Sequence, residues 1–396
     1  MSYKCLALIL GIFVNLSLSS NFSKKNPSSD LYVITAIFNP ATYKSRTDLY
    51  FQFAERMRKS NINLITIECV YGNSSEFQVT ESNNTNHIQL RANQPLWHKE
   101  NLINIAVKRL PSDWKYVLWL DGDIEFEEND WPIRMIKAFK RYDIIQVFSL
   151  VHFLGPEKEI METEYSFTYA IVEDFPLTKK RFRLFWPTPG YGWGMTRRAY
   201  EYLNGLLETG ILGGGDNMMA YALVGSYLEA LSYAPEFYKS NYIEHLESWQ
   251  ERAKIFRDAK KIGYADCTIK HHFHGYKSDR QYITRKKILL EGNYDPVNDL
   301  FTDENGVLQL KEEKKEMSDR IRQYFESRNE DNKIDNDPKF NIKIPKSPKE
   351  ILMGAHEKKI LLEEDRIEQC YRDKNPDYYR PRNVNHKRKD NNDECS

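Results

Sequence analysis

Three short β-type runs separated by helical stretches govern what residues 31 to 123 can become. The first, LYVITAIF (31–38), is stopped by Asn39-Pro40, as a buried strand is when it enters a loop. TDLYFQFAERMRKS carries apolar residues at helical spacing, and INLITIECVYG is a second strand. HKENLINIAVKRLP is a further amphipathic helix, stopped by Pro111, that delivers the chain to KYVLWL (115–120). The alternation of strand and helix predicts a parallel sheet with crossover helices.

The third strand runs straight into Asp121-Gly122-Asp123. Carboxylates at the end of a buried strand are costly to desolvate. A divalent cation offsets that cost, because hard cations take oxygen ligands and a nucleoside diphosphate can supply more of them. In open α/β sheets, ligands bind beyond the carboxyl ends of the strands, where the strand order reverses. An EF-hand is a poor alternative, since Phe126 stands at the sixth position where that loop needs Gly. A surface Asp-Gly-Asp turn is the other reading, and the apolar strand directly before it argues against that.

Beyond residue 124 the chain mixes Gly-rich turns with helical stretches through an aromatic middle, then forms a strand, CTIKHHFHG, leading to a basic helix. Three glycines precede Asp216 in GGGDN. They bring the backbone close to a ligand, and they place Asp216 near a helix N-terminus, where a carboxylate is stabilised. The alternative for Asp216 is a plain N-cap. From about residue 302 the composition becomes highly charged, giving a helical extension and a tail expected to be disordered.

The bulk numbers exclude little. At 396 residues and 41% hydrophobic, with 25 Tyr and 20 Phe, the chain can build a sizeable core. Lys plus Arg equals Asp plus Glu at 57 each, so charge gives nucleic-acid binding no support. Residues 1–20 read as a signal peptide or an uncleaved anchor, followed by a polar linker over 21–30. Sequons at Asn21, Asn73 and Asn83 fit a secretory lumen. Apart from Cys5, four cysteines remain (Cys69, Cys267, Cys370, Cys395), without zinc spacing; an even number permits disulfides.

Taken together, YVITAIFNP, LWHKENLINIAV, VLWLDGDIEF, GYGWGMTRRAY, GGGDNMMAY and HHFHGYKSDRQYITRKKIL resemble a GT-A-fold nucleotide-sugar glycosyltransferase, similar to family 2 enzymes. The fold this implies is α/β: an open, mostly parallel sheet flanked by helices over residues 31–300, with a charged helical C-terminal extension over 301–396. Residues 31–123 would form the nucleotide-binding half and 124–300 the acceptor half. By the same resemblance Asp121 contacts ribose or metal and Asp123 is the principal ligand of Mn²⁺ or Mg²⁺. A histidine completes the metal set. Strand alternation puts His272 and His274 on one face and turns His271 away, which favours His274 first and His272 second.

Asp216 would then be the general base of an inverting transfer, although a retaining course stays open. Ala36, Phe38, Asn39, Lys99 and Gly122 would lie against the nucleotide. Arg280 and Arg285 would steady the diphosphate or else form a solvated basic face. Tyr191 and Trp193, on Gly-flanked turns, would stack on sugar, and Gly215 and Asn217 would also contact the acceptor or sugar; a Trp buried in a tight turn is the alternative. The partners implied are a UDP- or GDP-sugar donor and a glycan, glycolipid or protein hydroxyl acceptor.

Departures from the family pattern are plain. Ile34-Thr35 replaces the usual Pro of the first strand, and Asp216-Asn217 replaces an acidic pair. The Q-x-x-R-W motif of processive synthases and multiple membrane spans are missing from the sequence. Two other readings stand beside transfer: a catalytically inactive GT-A-fold binding or scaffold protein, and a nucleotidyltransferase. The latter should show a Gly-rich basic signature near the first strand, where FNPATYKSR offers only Lys44 and Arg46. Location follows from donor supply: the lumen of the ER or Golgi, or secretion, if the leader is genuine, and the cytoplasm if it is not.

Overall fold

The computed structural model describes residues 30–72, 75–174 and 187–332. The expected leader, linker, sequons Asn21 and Asn73, and the tail beyond 332 lie outside the described residues. The chain begins β1 (Leu31–Phe38), α1 (Lys44–Lys59), β2 (Asn63–Tyr71), β3 (His87–Ala92), α2 (Lys99–Val107), β4 (Tyr116–Leu120) and β5 (Ile124–Phe126). It continues α3 (Trp131–Phe139), β6 (Ile144–Gln146), β7 (Leu150–Leu154), β8 (Ile160–Tyr165), α4 (Phe167–Val172), β9 (Gly192–Thr196), α5 (Arg197–Leu203) and α6 (Gly215–Leu223). Then come α7 (Ser240–Asp258), β10 (Ile262–Tyr264), β11 (Thr268–His271), α8 (Lys287–Glu291), β12 (Leu300–Thr302), β13 (Leu308–Leu310) and α9 (Lys315–Glu326).

Seven strands form the central sheet in the order β10-β6-β9-β4-β1-β2-β3. Only β9 runs antiparallel to its neighbours in that sheet; the β1–β2, β2–β3, β1–β4 and β6–β10 pairs are parallel. The chain starts at β1, builds outward through β2 and β3, then crosses back to lay β4 on the other side of β1. The crevice between the carboxyl ends of β1 and β4 is the switch point at which open sheets bind ligands. This is the helix-flanked, mainly parallel α/β sheet expected from the sequence.

Alternation in the strands divides their side chains between two cores. Ile34, Phe38, Val117 and Trp119 enter one, while Leu31, Val33, Leu118 and Leu120 enter the other. A sheet covered on both faces needs continuous apolar strands, which is why YVLWL shows no polar alternation. Helix α1 buries Tyr50, Phe53 and Met57, one stripe at helical spacing. Every residue of α2 is buried, Lys99, Glu100, Asn101 and Asn104 included, so its polar groups need partners inside the protein. Asn104, for instance, accepts from the Tyr200 hydroxyl at 2.6 Å and from the Leu206 amide at 2.9 Å.

A second sheet, β5-β11-β7-β8, stands over the carboxyl end of β4. The segment after residue 300 carries the core past the boundary expected there. Helix α9 inserts Met317, Ile321, Tyr324 and Phe325 into the larger core, each fully buried side chain stabilising by about 1.5–3 kcal/mol. Its charged residues occupy the opposite, solvated face, and they dominate the sequence impression of an appendage. Cys69 and Cys267 are both buried free thiols. No described helix is long and apolar enough to cross a membrane.

Candidate active site

Asp121 and Asp123 emerge where β4 ends, beside the ends of β5 and β11. The antiparallel β5–β11 pairing sets His271 opposite Ile124, and the His272 amide donates to the Asp123 carbonyl at 2.9 Å. These two ties place the histidine segment against Asp123. His274 Nε2 lies 2.9 Å from Asp123 Oδ2, His271 Nε2 lies 3.8 Å from Oδ1, and the two ring nitrogens are 3.2 Å apart. One carboxylate and two imidazoles thus present ligand atoms within 4.8 Å of one another.

His272, expected among the ligands, is turned the other way: its Nε2 meets Glu125 at 3.0 Å and Arg56 at 3.2 Å. Alternation fails here for a local reason. Strand β11 ends at His271, and the chain turns through Gly275 (φ +84°), so His274 returns to the side His271 already faces. His271 is therefore the residue that sequence reasoning set aside. Tyr191 supports it from behind, its ring centroid 4.7 Å from the imidazole, and the Tyr191 carbonyl accepts from the Asp121 amide at 2.9 Å.

Burial pushes the His271 pKa down to about 3, despite the neighbouring Asp123, which keeps the imidazole neutral and its lone pair available. Burial alone would raise Asp123; the adjacent His274 and His271 more than reverse this and hold it well below the usual carboxylate range. Asp123 Oδ1 is buried with no hydrogen-bond partner.

Lys99, the first residue of α2, joins the two halves of the site. Its Nζ lies 2.6 Å from Asp121 Oδ1 and 2.9 Å from Asp216 Oδ2. Burial opposes the charge on Lys99, but Asp121 and Asp216 raise its pKa above the ordinary lysine value. Asp121 is raised by burial, with Lys99 opposing and Asp123 and Asp216 adding to the rise. Asp216 sits in the first turn of α6, after Gly213 and Gly214, both at positive φ. Gly215 is required by space: a Cβ there would fall 2.1 Å from Glu100 Oε1. Asp216 Oδ1 is buried and unpartnered, facing the same cleft as Asp121.

That cleft measures about 1860 Å³, above the roughly 300–1,000 Å³ of a single small-molecule site. Ala36, Phe38, Lys99, Gly122, Tyr191 and Asn217 line it, and so do Asp121, Asp123, Asp216, His274, Arg280 and Arg285. Asn39, Trp193, Gly215 and His272 do not. The Asn39 side chain instead exchanges bonds with the Tyr43 backbone at 2.8 and 3.0 Å, closing the loop into α1. Trp193 is buried in β9 at 2% exposure, its Nε1 donating to the Pro189 carbonyl at 2.7 Å, so the tight-turn alternative is the one the structure adopts.

Arg280 Nη2 lies within 3.1 Å of both ring nitrogens of His274, beside the Asp123–His271–His274 cluster. Arg285 is buried and donates to the Tyr324 hydroxyl of α9. Neither sits on a long helix; they occupy short 3₁₀ turns before α8. Arg46 and Arg328 add two guanidiniums to the same wall, both paired with the buried Glu330. Arg328 also stacks over Trp97 at 5.3 Å, and its Nε and Nη1 are buried without partners. No periodicity flags Arg328 or Glu330, which lie in a uniformly charged stretch of sequence.

No family model matches the sequence, and no curated protein matches it. Among solved structures, it is similar to the catalytic domain of Drosophila β1,4-galactosyltransferase 7 in complex with xylobiose, at 9% identity and TM-score 0.26, over 50% of this chain and 61% of that one. A point variant of that enzyme, bound to manganese, UDP-Gal and xylobiose, gives the same values. The chain therefore spans less than two thirds of those domains. 4-Diphosphocytidyl-2C-methyl-D-erythritol synthase from Anaerococcus prevotii DSM 20548 is similar at 11% identity and TM-score 0.26, over 60% of this chain and 86% of that one.

Proposed function

We propose that this chain is a metal-dependent glycosyltransferase that moves one sugar from a nucleotide-activated donor to a hydroxyl acceptor with inversion. The observation that carries the reading is the meeting, in one cleft at the switch point, of the Asp123–His271–His274 cluster with the Lys99–Asp216 pair. The cluster fits a cation: Asp123 Oδ1 is an orphaned buried acceptor, and one carboxylate with two imidazoles is a donor set for a transition dication. Such an ion, for which the two imidazoles favour Mn²⁺ over the oxygen-seeking Mg²⁺, would be held by Asp123, His271 and His274 and would neutralise charge developing on a departing diphosphate.

The remaining work falls to the chain's own groups. Asp216 Oδ1 accepts the proton of the acceptor hydroxyl, while Lys99 holds the other oxygen at 2.9 Å and orients the carboxylate. Arg46, Arg280 and Arg328 supply positive charge on the wall where the diphosphate would lie. Ala36 and Phe38, at the carboxyl end of β1, provide a surface for the nucleoside. The size of the cleft leaves room for an acceptor beside the donor. A secretory lumen is the location that fits this chemistry and the sequons, and Asn83 is exposed in a turn. A glycosidase-sensitive mobility shift would test that placement.

The decisive experiment is a screen of UDP- and GDP-sugars with Mn²⁺, with and without acceptor hydroxyls, reading nucleotide release. Release from one donor, abolished by chelation and by Asp123→Ala, is the expected result. Absence of both turnover and metal-dependent nucleotide binding would overturn it in favour of a binding or scaffold protein, and pyrophosphate release from a nucleoside triphosphate in favour of a nucleotidyltransferase.

A further inference from the structure

Glu330 lies four residues beyond α9, and its side chain is fully buried. Arg46 holds it through Nε and, at 3.0 Å, through Nη2, while Arg328 Nη2 approaches at 2.6 Å. The segment itself is fixed. Ser45 Oγ donates to the Glu330 carbonyl at 3.1 Å, and Asp331 accepts from the amides of Lys44 and Ser45 at 2.9 and 2.7 Å, capping α1 from the far end of the chain. With both arginines engaged, Glu330 Oε2 still reaches a third partner, His274 Nδ1, at 3.4 Å.

We propose that Glu330 is a positioning residue for the metal site, setting the ring orientation and tautomer of His274; this rests on the metal-dependent reading above. For His274 Nε2 to offer a lone pair beside Asp123, the ring proton must be on Nδ1, and a proton there needs an acceptor. Glu330 is the carboxylate at that position. Arg280 does not take this role: its Nη2 is 3.0 and 3.1 Å from the two ring nitrogens, so it lies on the lone-pair axis of neither. Carboxylates that accept from a ligating histidine typically change metal affinity 10–100-fold when removed. The residues after α9, far in sequence from the Asp121–Asp123 motif, thereby become part of the metal site.

The test is Mn²⁺ binding to the full chain, followed by the EPR signal of free Mn²⁺, for wild type, Glu330→Gln, Glu330→Asp and Asp331→Asn. Glu330→Asp keeps the charge for both arginines but withdraws it from His274 by one methylene. Both Glu330 variants should bind Mn²⁺ about 10–100-fold more weakly, with Asp331→Asn at wild-type affinity. A folded Glu330 variant with wild-type affinity overturns the proposal, as does an equal loss in Asp331→Asn, which would assign the effect to docking of the segment. Should neither Glu330 variant fold, the His274 imidazole ¹⁵N spectrum of the wild type with Zn²⁺ decides: a proton on Nδ1 supports the role and one on Nε2 overturns it. Wild-type protein that binds no Mn²⁺ would remove the metal reading itself, an outcome distinct from the failure of Glu330 alone.

Discussion

Lys99 Nζ stands 2.9 Å from Asp216 Oδ2, joining the start of α2 to the start of α6 across 117 residues. The same ammonium holds Asp121 at 2.6 Å, so one cation serves two partly buried carboxylates. Lys99→Met leaves both without their counter-charge. The expected cost is about 3 kcal/mol of stability, toward the low end for breaking a buried pair because both carboxylates keep some solvent contact. Asp216 also loses the contact that orients it, and a misplacement near 1 Å can cost on the order of 100-fold in rate. Urea denaturation and donor turnover check the two effects separately. Wild-type turnover in a folded Lys99→Met protein would remove Lys99 from the mechanism.

His271 and His272 are adjacent in sequence and opposite in role, one facing Asp123 and the other Glu125 and Arg56. His271→Ala should weaken Mn²⁺ binding by roughly 100-fold or more, beyond what removal of a ligand's supporting carboxylate produces. His272→Ala should leave Mn²⁺ binding unchanged. The readout is the Mn²⁺-dependent rise in melting temperature for each variant. The reverse ranking would restore the strand-alternation assignment.

Glu100 gives the protein a characteristic pH dependence. It lies buried beneath Gly215 with Oε1 unpartnered, and burial, reinforced by Asp216, pushes its pKa from 4.5 up to about 8. Between these values Glu100 binds more proton in the folded state than in the unfolded chain, so its contribution to stability is greatest at low pH and falls as pH rises toward 8. Lys286 acts in the opposite sense. Burial lowers it from 10.5 to about 7, the unfolded chain binds more protons across that window, and stability climbs with pH. Taken as a pair, Glu100 and Lys286 contribute least to stability near pH 7 to 8. Glu100→Gln should remove the falling limb that Glu100 contributes between pH 4.5 and 8, leaving the falls due to Asp121 and Glu164 and the rise due to Lys286. The slope removed is at most about 1.4 kcal/mol for each pH unit of that limb. Chemical denaturation at several pH values checks this; an unchanged falling limb would show that Glu100 does not cause it.

Two stretches of the cleft wall were legible because their chemistry is local. An apolar strand followed by two carboxylates, and a Gly-rich turn before an acidic residue, announce themselves in a dozen residues each. Lys99 needed a resemblance to be noticed, and its pairing with Asp216 joins two helix starts 117 residues apart. The side of His271 could not be read, because alternation holds only while the strand lasts and β11 stops at that residue. Glu330 and Arg328 were invisible for another reason. Burial of an ion cluster depends on where α9 docks, and charged residues in a charged stretch look solvated until the helix is placed.

Trp193 shows how a glycine-flanked aromatic can be misread, and its neighbours supply a clean test. Gly192 and Gly194 point to the face of β9 opposite Trp193, where Leu118, Leu120 and Phe139 leave no room. A Cβ on Gly194 would lie 2.3 Å from Leu118 Cδ2 and 2.9 Å from Phe139 Cζ. The glycines therefore serve strand packing, and Trp193 fills the core on the other face. Gly194→Ala should overpack this layer and cost about 1–3 kcal/mol, with Mn²⁺ affinity unchanged. Trp193→Phe should likewise lower the melting temperature, through lost packing and the lost bond to Pro189, while leaving the acceptor KM unaltered. An increase in acceptor KM without loss of stability would return Trp193 to the sugar-binding surface.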